Sequence, residues 1–183
     1  MLMNLLNSNL YLLLENLLFF LAATFFLGVV GWAWKDLKPF ELPRPLPRWF
    51  NLWFGTVQVL GGVLPLLALL LWGLWWGYSS VLTVLVPYLV MLGLQVLSEI
   101  VTLRQFQSVV WVMIPYLYVP YRVWQLYEGL TFLSPESELI WVRILLLANI
   151  VVWIANYALD LAQLPRLFRW EAQEDREIGT TRS

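Results

Sequence analysis

QSVVWVMIPYLYVPYR, residues 107–122, is the stretch on which the fold turns. Between Gln107 and Arg122 lie 14 uncharged residues, Pro115 and Pro120 among them. A bilayer core of about 30 Å needs roughly 20 apolar residues in helix, so a run this short suits a re-entrant or interfacial segment as well as a crossing. The question is whether the helix ends at Arg122 or continues through VWQLYEGL to Leu130. A long arginine side chain can carry its charge to an interface while its stem stays in apolar surroundings, which lets the run continue.

The flanking sequence sets the class. The chain has 183 residues, 61% hydrophobic and 13% charged, with 12 Trp. A soluble domain carries about 25% charged residues, so no water-facing surface can be built from this composition. The apolar runs are continuous and lack the alternating ten-residue segments of a membrane β-barrel. The expected class is an all-α integral membrane protein, a polytopic bundle. Crossings are expected near residues 10–34, 52–76, 81–101, 106–130 and 139–164. Ser8 or Asn9 is the expected N-cap of the first. Residues 35–50 hold Pro39, Pro43, Pro45 and Pro47 and form a loop. GYSS, residues 77–80, makes a tight turn. Residues 1–164 are then one membrane domain, and 165–183 a charged cytoplasmic tail. No Lys or Arg precedes the first apolar run, which argues for a retained helix over a cleaved signal.

Charge chooses between five crossings and four plus a re-entrant or kinked segment. With five, and the N-terminus outside, nine of the 11 Lys and Arg are cytoplasmic; Arg122 and Arg143 are not. A re-entrant fourth segment turns the tail outward and reduces the split to seven against four. Lys/Arg bias sets orientation, so five crossings are expected, in a plasma (inner) or thylakoid membrane, with the C-terminus inside. Trp32, Trp34, Trp49 and Trp53 fall at one level, and Trp75, Trp76, Trp124 and Trp141 at the other. They read as interfacial belts.

Ionisable groups at membrane depth are candidate functional residues. Glu99 and Asp160 lie near the cytoplasmic ends of their runs, where Arg104 is available to both. Glu15 lies near the outer end, where Arg122 and Arg143 are available. Gln95, Asn149 and Asn156 fall nearest the centre. Gln95 and Glu99 are four apart and share a helix face. Asn149, Trp153, Asn156 and Asp160 follow at spacings of four, three and four, again one face. The candidate inner cluster is therefore Gln95, Glu99, Arg104, Asn149, Asn156 and Asp160, and the outer one Glu15, Arg122 and Arg143. Such amides usually hold membrane helices together. The pair Gly61-Gly62 permits close helix approach, and GLWWG, residues 73–77, fits a GxxxG pattern.

The chain contains no Cys and no His. Disulfides, thiolate or imidazole metal sites and a Ser-His-Asp triad are excluded on composition. No cofactor is expected, with lipid or pigment contact left open, and no Walker loop, GxGxxG or CxxC occurs. A net charge of -1 gives no pull toward nucleic acid. The expected partners are membrane lipids and other integral membrane proteins. The leading functional expectation is a non-enzymatic structural or assembly subunit of a larger membrane complex. The alternative is a small transporter or channel-like protein, and the third a lipid-modifying enzyme.

Overall fold

The structure, a computed structural model, describes residues 2–36, 48–134 and 137–167. Among these there is helix and turn but no strand. Helix α1 spans Leu2–Ala33, so Ser8 and Asn9 lie inside it and do not cap it, contrary to expectation. The leucines of the first turns continue the apolar run backward through that polar pair. Helices α2 (Arg48–Gln58) and α3 (Leu64–Ala68) are joined by a π-helical stretch, Val59–Val63. A second, Leu69–Trp75, follows α3, and the whole is one rod. Helix α4 (Ser79–Ile100) ends in a further π stretch, Val101–Gln105. A 3₁₀ segment, Val109–Val112, runs without a break into α5 (Met113–Phe132). A second, Ser137–Leu139, leads into α6 (Ile140–Leu167). Most of the 35–50 loop and the tail beyond Leu167 lie outside the described residues.

Among the described residues four helices are long and apolar enough to cross a membrane: Leu14–Ala33, Trp49–Trp75, Ser79–Gln105 and Ser137–Pro165. Their bounds lie within a few residues of the expected runs. The segment around α5 does not stop at Arg122. Its α-helical part alone has 20 residues, about 30 Å at 1.5 Å per residue. It is less apolar than the other four because it is sandwiched between α4 and α6. Only Pro120, Trp124, Tyr127 and Thr131, spaced four, three and four, and Phe132 are exposed on it. The opposite stripe, Ile114, Tyr118, Arg122, Leu126 and Gly129, is buried.

Helices α4 and α6 bury stripes of the same kind: Val81, Leu85, Tyr88, Met91 and Gln95 on α4, and Val142, Leu146, Asn149 and Trp153 on α6, continued back to Leu139 of the 3₁₀ segment before it. Each stripe is apolar toward Trp76–Tyr78 and Leu133–Ser134, here the hairpin end. Each becomes polar toward mid-height. The hairpin half of the core is therefore dry, with Val81, Leu85, Leu126, Leu139, Val142 and Leu146 in one cluster. The other end, the tail end, carries Ala33, Trp49, Gln105 and Pro165.

The turns are short. Gly77 takes a φ of +76° in the turn to α4, a conformation that glycine adopts without strain. At the tail end Gln107 has a φ of +45°, and Ser108 caps the next helix by accepting from the Val110 N–H at 3.3 Å. Helix α1 stands apart. Only 6% of its most apolar window is buried, against 28–33% for the other three apolar helices. It touches α4 and α5.

Candidate functional site

The polar stripes of α4, α5 and α6 meet at mid-height around Arg122. This residue lies nine positions after the start of α5 and ten before its end. It is 1% exposed. Its Nη2 donates to Gln95 Oε1, and Gln95 Nε2 donates to Glu99 Oε1 at 2.7 Å. The Gln95 amide thus links a guanidinium to a carboxylate. The guanidinium carbon also lies 4.1 Å from the centroid of the Trp153 ring and 6.0 Å from that of Tyr88. A desolvated cation over an aromatic face gains about 2 kcal/mol. Arg122 Nε and Nη1 are buried without a hydrogen-bond acceptor among the described residues.

The rod formed by α2 and α3 joins this centre through backbone chemistry. Pro65 has no N–H to give to the carbonyl four residues earlier, that of Gly61. The Tyr88 hydroxyl donates to that carbonyl at 2.5 Å. Trp153 Nε1 donates in turn to the Tyr88 oxygen at 2.9 Å. A Cβ on Gly61 would sit 2.6 Å from Trp153 Cζ2, so only glycine lets the indole approach. Asn149 donates to Leu145 O of its own helix at 2.9 Å, and its Oδ1 is 3.3 Å from the Tyr88 hydroxyl. One connected group of side chains therefore touches the α2–α3 rod, α4, α5 and α6.

A second polar group lies toward the tail end. Trp53 Nε1 donates to Asn156 Oδ1 at 3.1 Å, and Asn156 Nδ2 donates to Asp160 Oδ2 at 3.0 Å. The Tyr116 hydroxyl donates to the Asp160 carbonyl at 2.6 Å. Arg104, expected beside Glu99 and Asp160, is exposed and makes no ion pair among the described residues. It sits on the last π turn after α4.

The structure does not assemble the expected outer cluster. Arg122 is at mid-height beside Gln95 and Glu99, because α5 runs ten residues beyond it. Glu15 instead lines a cavity of about 370 Å³ with Asn16, Tyr121, Gln125 and Glu128. There Asn16 Oδ1 accepts from Gln125 Nε2 and, at 3.2 Å, from the Tyr121 hydroxyl. Arg143 is half-buried on α6 and lines a different cavity with Tyr127 and Thr131. Gln95, Glu99, Asn149, Asn156 and Asp160 all lie in the mid-height and tail-end groups.

Tyr88, Tyr116, Asn16 and Glu128 join these groups without having been singled out by sequence. Tyr88 was within reach of the periodicity argument, since the face of Glu99 and Gln95 continues back through Met91 to Tyr88. Tyr116 and Asn16 are recruited by packing between helices far apart in sequence, which no local spacing reveals. Among the described residues no group of three or more His, Cys, Asp or Glu side chains is placed to hold a metal. Chemically the centre offers one permanent cation, one carboxylate reached through an amide, and a tyrosine hydroxyl already bound on both sides. Comparison with protein-family models, curated proteins and solved structures finds no match for this chain.

Proposed function

We propose that the chain crosses the membrane five times, N-terminus outside and C-terminus in the cytoplasm, and serves as a structural or assembly subunit of a larger membrane complex. The observation that carries this reading is how the central polar groups are used. Arg122, Gln95, Tyr88, Asn149 and Trp153 are each at most 6% exposed and contact one another. A fixed charged latch of this kind holds four helical rods in one arrangement. It leaves the tyrosine and the amides committed. The rest of the described surface is lipid-like, with Leu18, Phe25, Trp32, Trp75 and Trp141 each more than 60% exposed. Function then has to be exercised through lateral contact with other membrane components. Extraction in a mild detergent followed by native pull-down and mass spectrometry tests this. A stoichiometric membrane complex is expected, and a lone monodisperse species overturns it.

A second reading, a small transporter, draws on one specific observation. Arg122 Nε and Nη1 are buried without acceptors among the described residues, and Glu99 and Asp160 lie on the tail-end side of the guanidinium. On that reading Asp160→Asn abolishes flux at unchanged expression. On the subunit reading the same variant lowers assembly and leaves no flux to lose.

A further inference from the structure

A cavity of about 630 Å³ opens on the side of the bundle between the tail-end half of α1 and the turn from α4 to α5. Its chemistry is sorted by height. At the tail end it is lined by Lys35, Gln107 and Ser108, and lower down by Leu27, Gly28 and Thr24; Ser98 and Thr102 on the facing wall donate their hydroxyls to the carbonyls of Leu94 and Ser98. Lys35 makes no ion pair among the described residues, and Asp36 beside it does not line the groove. Ser108 Oγ accepts from Val110 N, which leaves its O–H free to donate. No carboxylate lines the groove among the described residues. The helix that begins at Val109 adds the positive end of its dipole at the same level.

The dimensions match an amphiphile. Lys35 lies two residues past the end of α1, and from Ala33 down to Thr24 is nine residues of helix, about 14 Å at 1.5 Å per residue. One leaflet of a 30 Å hydrocarbon core is about 15 Å deep. The wall is smooth there: a Cβ on Gly28 meets nothing within 4 Å, and one on Gly31 meets only Val110 at 3.8 Å. A neighbouring protein helix would need apolar contact along the full height. This groove asks for an anion at one end only, with a slot one leaflet deep beneath it.

We propose that this groove binds one anionic phospholipid, its phosphate at Lys35, Ser108 and Gln107 and an acyl chain along Gly31, Gly28 and Thr24. The inference is independent of the subunit reading. The test is native mass spectrometry of the full-length protein released from nanodiscs containing phosphatidylglycerol and phosphatidylcholine in equal amounts. One retained phosphatidylglycerol is expected, at about fivefold preference, the size of one lysine's attraction near an anionic surface. Lys35→Gln should bring the preference to near unity. Gly28→Leu with Gly31→Leu should abolish retention of either lipid at unchanged thermal stability. If the double variant does not fold, Gly28→Leu alone, for which there is room, must still weaken retention. Absence of preference in the native chain, or unchanged retention in the glycine variants, overturns the proposal. So does release of the lipid by millimolar inorganic phosphate, which would mark a site for the free anion.

Discussion

Arg122 sets the energetics of the centre. A guanidinium at mid-height has lost its hydration and regains it in parts: one hydrogen bond to Gln95, the face of Trp153, and the field of Glu99 through the amide. Removing one member of a buried charged set leaves the other uncompensated, which costs about 3–5 kcal/mol. Arg122→Met and Glu99→Gln are therefore each expected to destabilise the protein by about 3 kcal/mol. The Arg122→Met/Glu99→Gln double variant should cost clearly less than the sum, because no charge is then left alone. Reversible unfolding in detergent measures all three. Strict additivity would show that the two charges do not sense each other across Gln95. Arg122→Lys should fall between the native chain and Arg122→Met, since an ammonium keeps the charge opposite Glu99 but loses the planar stack on Trp153.

The α2–α3 rod and α1 are held in opposite ways. The rod is fastened where its own helix is broken: Pro65 withholds a donor, Gly61 leaves a carbonyl open, and Tyr88 fills it. Tyr88→Phe then leaves a buried carbonyl and the Trp153 N–H short of partners, at a cost of about 1–3 kcal/mol. In a Pro65→Ala background the helix supplies its own donor to Gly61. The Tyr88→Phe penalty should fall to less than half there, read from the same unfolding experiment. An undiminished penalty would mean that the Tyr88 hydroxyl acts through Trp153 alone. Helix α1 has no such anchor. Its attachments include Asn16, bonded to Gln125 and Tyr121, Phe19, stacked on Tyr121 with ring centroids 3.8 Å apart, and Ala23, packed with Met91, Ile114 and Tyr118. Asn16→Leu removes the polar tie and keeps the apolar surface. Hydrogen exchange should then quicken in α1 by several-fold while α4, α5 and α6 keep their protection. Equal quickening throughout would show that α1 belongs to the same cooperative unit as the rest.

At the scale of the whole molecule, the helical class and the ends of four runs were legible in composition and hydropathy, because a bilayer constrains length and polarity together. The polar faces of α4 and α6 were legible too, since Gln95 with Glu99 and Asn149 with Asp160 repeat at helical spacing. The fate of Arg122 was not. An arginine inside a 24-residue helical segment reads as an end until its partners on other helices are known, and those partners lie 27 and 31 residues away in sequence. The same residue bears on topology. Counted as outside, Arg122 weakened the Lys/Arg bias. Buried at mid-height, Arg122 belongs to neither side of the count, which on the proposed topology leaves Arg143 opposite nine Lys and Arg. The two topologies differ on which side Ser134, exposed in the turn between α5 and α6, must lie. If α5 crosses, Ser134 is outside; if the segment re-enters, Ser134 returns to the cytoplasmic side with Gln107. The chain has no native cysteine, so single-cysteine variants report without background. Ser134→Cys should react with a membrane-impermeant maleimide in intact cells, and Gln107→Cys only after permeabilisation. Protection of both positions in intact cells would place them on the same side. The polar face of α5 would then dip into the bundle and come back, and the five-crossing proposal would fall.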